Sequence, residues 1–348
     1  MDNLRDFKRV ASWKWIRDQY TQLEVPSSDL TGKTVVITGA NRGIGFEAAK
    51  HFARLNAKHL ILACRKVSTG NVAAEQIMAT TGCSGAVTCW PLDLASFTSI
   101  KQFATRIQQE NISIDILVGN AAYMGLDYVQ TQDGWETGLQ VNCLGNFLLI
   151  LLLLPHFPRP SETVSIPRVI LLSSDSHYFI SRLQEADTSN ILATLNDPRH
   201  CFSSAMRQRY FVSKLLIVLF SRELARRMDP NFGPNVVTVD PGVCITDLYR
   251  ETAPTFLGRL AMRGIQFLVA RTPEVGSRTI VHAAVYPQCK EIHGKYLATQ
   301  RVKQESDYVT STEGQVVQRR LWNEIVDILQ VVDSRVEGII CALQVHNQ

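Results

Sequence analysis

Apolar and polar positions alternate along this chain with two different periods. Short runs rich in Val, Ile and Leu recur between longer stretches whose apolar residues have helical spacing. The runs that predict strands are 34–38, 60–63, 87–90, 115–118, 169–173, 235–239 and 295–298. Strands that alternate with helices are typical of βαβ units, whose right-handed crossovers produce a parallel sheet. The pattern therefore predicts a doubly wound α/β fold with about seven parallel strands flanked by helices.

The predicted helices lie between these strands. Two of them cover 43–55 and 133–154. A third is capped by Ser96 and ends at Ile107, and a fourth contains Tyr210 and ends near Arg227. The apolar run from Phe147 to Leu154 is shorter than the roughly 20 residues of a membrane span, so we expect a buried core helix. Thr272 is expected to cap a further helix that has Pro273 at its first position.

The two ends of the chain lie outside this alternation. We expect a helical extension at 1–30, one dinucleotide-binding domain at 31–300 and a helical extension at 301–348 that packs on the same domain. In the last segment, an apolar stripe predicts packing and comprises Val316, Val317, Leu321, Ile325, Ile328 and Leu329. Near the start, Val10, Trp13, Ile16 and Tyr20 recur at helical spacing, which fits a helix packed on protein or one lying on a membrane.

Composition excludes several classes of function. The 348 residues include 36 basic and 32 acidic ones, for a net charge of +4 with no basic run, so no nucleic acid partner is expected. The eight cysteines form no CxxC pair and have no zinc-type spacing to histidine. We therefore expect no metal site and an intracellular, cytoplasmic protein with reduced thiols. Peripheral membrane association through residues 1–20 stays open.

A glycine-rich turn follows the first predicted strand. Gly39, Gly43 and Gly45 allow the backbone to approach a pyrophosphate, and the helix that begins there directs free N–H groups toward it. No acidic residue ends the second strand, where NAD enzymes hold the ribose 2′-hydroxyl. Arg65 stands there instead, and with Arg42 it favours the 2′-phosphate of NADP(H). Asp93 follows the third strand and is expected to accept a hydrogen bond from the adenine amino group.

The residues that point to chemistry are Tyr210 and Lys214. They lie one helical turn apart, and a neighbouring cation favours the phenolate and so lowers the pKa of a tyrosine. Such a tyrosine can donate and accept protons near neutral pH. A serine at the end of the fifth strand, Ser174 or its neighbour Ser173, can polarise a substrate oxygen. Asn142 within the long helix suits a proton relay through water, or else a structural bond to backbone.

Together these motifs resemble the short-chain dehydrogenase/reductase superfamily in its retinol-dehydrogenase-like branch. The resemblance covers residues 31 to about 300 and implies a Rossmann fold. The motifs occur in the order of that family: TGANRGIG at 38–45, Asp93-Leu94, Asn120-Ala121, Asn142, Ser173-Ser174, Tyr210 with Lys214, and Pro241-Gly242 with Thr246.

The resemblance implies roles for individual residues. Tyr210 is implied as the acid/base, Lys214 as its activator, Ser174 as the donor to the substrate oxygen and Asn142 as the relay residue. The implied cofactor site comprises Gly39, Asn41, Arg42, Gly43, Ile44, Gly45, Arg65, Asp93, Leu94, Asn120, Ala121, Tyr210, Lys214, Pro241, Gly242, Val243 and Thr246. The chain departs from the family at Ala122, where a glycine is usual.

The sequence therefore predicts an NADP(H)-dependent oxidoreductase that interconverts an alcohol and a carbonyl. The alternative is an inactive nucleotide-binding sensor or interaction protein of the same fold. Residues 178–209 and 244–271, rich in Leu, Phe, Ile and Met, are expected to form an apolar substrate pocket. Retinoids, steroids, lipid aldehydes and polyketide-type ketones all fit such a pocket. The apolar helices at 133–154 and 203–227 predict a homodimer.

Overall fold

The computed structural model of the chain describes residues 13–161, 166–229, 231–246, 248, 270–287 and 289–345. Its centre is a sheet of eight described strands in the order β3-β2-β1-β4-β5-β6-β7-β8. The strands are β1 Thr34–Thr38, β2 His59–Cys64, β3 Ala86–Pro91, β4 Ile116–Gly119, β5 Arg168–Leu172, β6 Asn235–Asp240, β7 Tyr296–Ala298 and β8 Arg301–Lys303. The order reverses between β1 and β4, which is where doubly wound sheets bind dinucleotides. The predicted Rossmann fold is confirmed.

One strand differs from the expectation of an all-parallel sheet. β8 pairs antiparallel with β7, whereas every other neighbouring pair is parallel. Thr299 and Gln300 connect them with φ values of 53° and 58°, the left-handed backbone of a two-residue hairpin turn. The segment after residue 300, expected to be helical, therefore begins with an edge strand.

Helices cover both faces of the sheet. They are α1 Trp13–Tyr20, α2 Gly43–Arg54, α3 Val67–Thr81, α4 Phe97–Gln109, α5 Thr137–Leu139 continuing through a π-helical turn Gln140–Leu144 into Gly145–Leu153, α6 Ile191–Asn196, α7 Ser203–Arg227, α8 Pro273–Val285, α9 Asp307–Thr310, α10 Thr312–Val332 and α11 Arg335–Val345. Ser96 and Thr272 cap α4 and α8 through their side chains, as predicted. The helix α3 was not among the predictions.

The long helix α5 begins later than predicted. Gly134 has φ 84°, which a helix does not accommodate, and the carboxylate of Glu136 accepts hydrogen bonds from the N–H groups of Gly138 and Leu139. The side chain thus caps the helix, so residues 133–136 belong to the preceding turn rather than to α5. Every residue of Gly145–Leu153 is buried, as expected for a core helix.

One described helical stretch, Thr137–His156, has the length and apolar composition of a membrane span, and 83% of its apolar window is buried inside the protein. Neighbouring helices pack against its apolar surface. We therefore interpret it as a core helix of the α/β domain.

The C-terminal helices cover the apolar faces of α5 and α7. Phe220 of α7 stacks on Phe147 of α5 at 3.8 Å between ring centroids and on Trp322 of α10 at 5.5 Å. The guanidinium of Arg227 lies 5.0 Å from the Trp322 ring, a cation–π contact. Both helices were expected to need a second subunit because their apolar faces lacked cover. Within the chain, α10 and α11 cover part of these apolar faces, and the homodimer stays a prediction.

The apolar stripe of α10 is only partly as predicted. Val317, Leu321, Ile325 and Leu329 are buried against the domain, whereas Val316 is 52% exposed. Ile328 is half-buried beside the same cluster. At the helical period, Val316 lies on the side of α10 next to the packed face rather than on that face.

The expected pocket walls are only partly described. In the first wall, residues 178–209, Tyr178, Ile180, Leu183, Ile191 and Leu192 are buried in the core, while Phe179 is 40% exposed. Of the second wall, residues 247 and 249–269 lie outside the described residues. Residues 1–12, which include Val10 of the predicted amphipathic helix, lie outside them too. The described part, α1, buries Gln19 and leaves Tyr20 64% exposed.

We predict that the C-terminal segment folds as one unit with the sheet domain. Replacing Trp322, which is 2% exposed, with alanine should lower the free energy of unfolding by about 3–5 kcal/mol, because it opens a cavity between α7 and α10. Urea unfolding measures this loss. Val331→Ala is the control, since Val331 is 86% exposed and should change stability by about 0.5 kcal/mol or less. A Trp322→Ala protein as stable as the control would contradict a single folding unit.

Candidate active site

A cavity of about 600 Å³ opens at the carboxyl edge of the sheet. Its walls come from the ends of β1, β2, β4, β5 and β6 and from α7. The cavity therefore includes the point between β1 and β4 where the strand order reverses. Cavities of this volume are typical of small-molecule and cofactor sites. The predicted site residues that line it are Gly39, Asn41, Arg42, Gly43, Ile44, Gly45, Arg65, Asp93, Leu94, Asn120, Ala121, Tyr210, Lys214, Pro241 and Thr246.

The glycine turn leaves the start of α2 open to this cavity. Arg42 occupies the cap position in extended backbone, and no side chain caps the helix or places an acid in its first turn. Gly39 and Gly43 have φ values of 65° and 60°, which favour glycine. A Cβ atom on Gly45 would approach the Asn120 amide to 2.4 Å. The uncapped N–H groups and the close turn fit a pyrophosphate.

The loop after β2 adds positive charge to one end of the cavity. Arg65 and Lys66 are exposed, and neither forms an ion pair with a described acidic side chain. Thr69 lines the same end, where its hydroxyl accepts a hydrogen bond from Asn41 Nδ2 at 3.1 Å. Lys66 and Thr69 were not among the predicted site residues, although Lys66 directly follows Arg65 in the sequence. The arrangement suits a phosphate group.

The segment after β4 is tied to the glycine turn. The hydroxyl of Thr38 accepts hydrogen bonds from the N–H groups of Asn120 and Ala121, at 3.0 and 2.9 Å. Asn120 Nδ2 donates to the carbonyl of Thr38 at 2.8 Å. Ala122, where the family has glycine, is not among the residues with positive φ. The side chain at this position therefore requires no strained backbone.

Lys214 is a buried cation beside Tyr210. Its ammonium is 5.3 Å from the centroid of the Tyr210 ring and donates to the carbonyl oxygen of Leu172 at 2.8 Å. Burial lowers the pKa of Lys214 to about 8, because the charged form loses its water. The positive charge of Lys214 below that pH favours ionisation of a neighbouring phenol.

The two serines after β5 have different partners. Ser173 is buried and its hydroxyl donates to the carbonyl of Lys214 at 3.0 Å. Ser174 donates to Asp175 Oδ1 at 3.2 Å and accepts from the N–H of Ser176, which makes it the cap of a short 3₁₀ helix. The Ser173 hydroxyl therefore holds α7, whereas the two described partners of the Ser174 hydroxyl lie within two residues of it in the chain. Of the pair, Ser173 contributes to the cavity wall and Ser174 does not.

Asn142 lies in the π-helical turn of α5. Its side chain accepts from the N–H of Tyr123 at 2.7 Å and donates to the Tyr123 carbonyl at 2.9 Å and to the Ser213 hydroxyl at 3.0 Å. These bonds connect the turn after β4 with the turn of α7 that carries Lys214. Asn142 is not among the residues that line the cavity, and its relay role stays a prediction.

A second buried ionisable group, Asp240, ends β6. Burial raises the pKa of Asp240 to about 7, with Asp175 adding to the effect, while a hydrogen bond from the Gly242 N–H opposes it. Asp240 also raises the pKa of Lys214. The sequence reasoning missed this carboxyl group. Its only signal was an acidic residue at the end of an otherwise apolar strand.

The comparisons with known proteins identify the family of this chain. The family model for short chain dehydrogenase matches residues 33–176. The short-chain dehydrogenase anuD of Penicillium roqueforti is 39% identical over 333 residues, covering 92% of this chain and 84% of that protein. The polyprenol dehydrogenase of Mus musculus is 35% identical over 294 residues, covering 84% and 82%. This chain belongs to the short-chain dehydrogenase/reductase family.

The fold is also similar to solved structures. The crystal structure of an uncharacterised protein from Mycobacterium paratuberculosis has a TM-score of 0.65 and 25% identity, and the match covers 89% of this chain and 98% of that one. The protein is therefore an oxidoreductase of this family. A nicotinamide cofactor fits the uncapped helix start and the glycine turn described above.

We predict that Asp240 makes stability depend on pH. The unfolded carboxyl ionises near pH 3.8, whereas the folded one keeps its proton until about pH 7, so this group's contribution to stability falls as pH rises through that window. Asp240→Asn removes the titration and keeps an acceptor for Gly242. The stability of the variant relative to the wild type should rise between pH 4 and pH 7, by up to about 1.4 kcal/mol per pH unit. Thermal unfolding of both proteins across this range measures the effect, and a constant difference would contradict a buried carboxyl of raised pKa.

Proposed function

We propose that this protein is an NADP(H)-dependent oxidoreductase that interconverts an alcohol and a carbonyl on a small apolar substrate. The observation that carries the proposal is the position of Tyr210 and Lys214 in one cavity with the glycine turn and Thr246. A nicotinamide bound there would supply or accept the hydride at the carbon that bears the substrate oxygen. The proposal includes the retinol-dehydrogenase-like branch, which the likeness to a polyprenol dehydrogenase supports.

The residues of the chain move the proton. In the reducing direction, the hydroxyl of Tyr210 donates a proton to the substrate oxygen as negative charge develops on that oxygen. The neighbouring Lys214 stabilises the phenolate that remains, and Ser174 donates a hydrogen bond to the same oxygen. For Ser174 this requires its hydroxyl to turn away from Asp175. Asn142 acts by fixing the π-helical turn and Ser213 next to Lys214.

The cofactor preference rests on charge. Arg42, Arg65 and Lys66 line the cavity, and Arg65 and Lys66 follow β2 at the position where NAD enzymes place an acidic residue for the ribose hydroxyl. Guanidinium and ammonium groups bind a 2′-phosphate through charge-assisted hydrogen bonds. NADP(H) is therefore the cofactor that this end of the site fits best.

The substrate class rests on the aromatic rings beside Tyr210. Phe211 lies 6.3 Å from Tyr210 and 5.2 Å from Phe179, measured between ring centroids. Phe179 is 40% exposed and forms an aromatic pair with Phe211 beside the proton donor. Aromatic rings in this position favour an apolar or aromatic carbonyl compound over a sugar.

Arg65→Ala should weaken NADPH binding far more than NADH binding. Loss of one charged hydrogen-bonding pair costs about 1.5–3 kcal/mol, which corresponds to roughly 10- to 150-fold in Kd. Fluorescence titration of both cofactors with the wild type and the variant measures the preference. A wild type that binds NADH more tightly than NADPH would overturn the assignment.

Tyr210→Phe should retain NADPH binding and lose activity by roughly 100-fold or more, because only the proton-donating hydroxyl is removed. Turnover is followed by NADPH consumption with a panel of apolar aldehydes and ketones. Phe211→Leu is a neighbouring control that keeps the hydroxyl and should change substrate KM more than kcat. If the wild type binds NADPH and turns over no member of the panel, the inactive nucleotide-binding alternative is supported instead.

A further inference from the structure

The loop Pro241–Thr246 is held from its outer side by the N-terminal segment. Pro241 and Thr246 line the cavity, while the backbone of Val243 faces α1. The Gln19 side chain is buried and bonds Val243 twice: Nε2 donates to the Val243 carbonyl at 2.6 Å, and the Val243 N–H donates to Oε1 at 3.2 Å. Both polar atoms of one amide side chain are thus satisfied by the backbone of one residue, 224 residues away in sequence.

Arg271 completes this contact from a second direction. Its buried guanidinium donates from Nε to the Gln19 carbonyl at 3.1 Å and from Nη1 to the Pro241 carbonyl at 3.2 Å. Its own backbone donates to the Val243 carbonyl at 2.8 Å and accepts from the Ile245 N–H at 3.0 Å. Nη2 also donates to the Asp18 carbonyl, and Asp18 pairs with Lys303 of β8.

The glycine of the loop makes this close approach possible. Gly242 has φ 77°, and a Cβ atom there would lie 2.9 Å from Gln19 Oε1 and 2.9 Å from Arg271 Nη1. The peptide groups of residues 241, 243 and 245 are therefore fixed from outside. The side of the loop that carries Thr246 faces the cavity.

We propose that Gln19 and Arg271 are positioning residues that fix the loop Pro241–Thr246 for the nicotinamide end of the cofactor. This inference rests on the proposed function and assigns to Thr246, which lines the cavity, contact with the nicotinamide. A loop that follows a strand end has little regular hydrogen bonding of its own, and small displacements of a positioning contact weaken binding strongly. The N-terminal extension thereby becomes part of the cofactor site, although it contributes no residue to the cavity wall among the described residues.

The chain provides a matched control for Gln19. Gln300 makes the same kind of paired contact with the same N-terminal segment: its Oε1 accepts from the Glu24 N–H at 2.8 Å and its Nε2 donates to the Glu24 carbonyl at 2.7 Å. This contact is exposed and does not touch the loop Pro241–Thr246. Gln300→Met therefore loosens the segment alone, whereas Gln19→Met, with a side chain of similar length, releases the loop.

The test compares two ligands that differ only at the nicotinamide. Kd values are measured for NADPH and for 2′-phospho-ADP-ribose, which lacks that ring, with the wild type, Gln19→Met and Gln300→Met. Loss of two hydrogen bonds should weaken NADPH binding by on the order of 10-fold in Gln19→Met. Binding of 2′-phospho-ADP-ribose should change less than about twofold, and Gln300→Met should match the wild type for both ligands.

Three results would overturn the proposal: equal weakening of both ligands, no weakening of either, or the same effect in Gln300→Met. A wild type that binds neither ligand instead contradicts the proposed function, so the two failures are distinguishable. If Gln19→Met does not fold, the same measurements are made on Arg271→Lys and judged by the same criteria. That substitution keeps the positive charge and loses the geometry of the guanidinium.

Discussion

A pair of hydrogen bonds between α7 and the end of β5 fixes the geometry on which the site depends. Lys214 donates from its side chain to Leu172, and Ser173 donates from its side chain to the Lys214 carbonyl. The helix and the strand are therefore locked together at the level of the cavity. Because the ammonium is buried, its charge acts on Tyr210 through an environment poor in water, where electrostatic interactions are stronger.

This arrangement requires α7 to be held rigidly along its whole length. Its far half packs on α5 through Phe147 and Phe220, and α10 closes the stack with Trp322. The carboxylate of Glu223 on α7, fully buried, accepts from Gln318 of α10 at 2.8 Å and pairs with Arg226 and Arg227. The C-terminal segment thus packs on α7, the helix that carries Tyr210 and Lys214. The N-terminal segment supports the loop after β6 in a similar way, so both extensions contribute to the site without entering it.

The parts of the fold that were predictable depend on local patterns. The turn Gly39–Gly45, the caps Ser96 and Thr272, and the spacing of Tyr210 and Lys214 are each encoded within a few residues, and the structure has them where expected. Strand ends shifted by about one residue, which is the usual uncertainty of such boundaries. The late start of α5 also had a local cause, namely the conformation of Gly134 and the cap formed by Glu136. The pattern of apolar residues reveals neither of these two features.

The parts that were not predictable depend on distant contacts. The bond between Gln19 and Val243 joins the first helix to the loop after the sixth strand, and no periodicity signals it. The π-helical turn contains Asn142, which bonds Tyr123 and Ser213 from two other parts of the chain. The apolar faces of α5 and α7 were recognised, but the sequence pattern does not say whether a partner subunit or the same chain covers them. The value of the raised pKa of Asp240 likewise follows from burial that only the folded chain creates.

The most direct measurement is the transfer of deuterium from NADPH labelled at its hydride position to an apolar ketone, analysed by mass spectrometry of the product alcohol. Both stereospecifically labelled cofactors are used with the wild-type protein. We predict that one of the two gives an alcohol with a single deuterium on the carbinol carbon and that the other gives unlabelled alcohol. Absence of deuterium in the product with both cofactors, from a protein that binds NADPH, would contradict hydride transfer at this site.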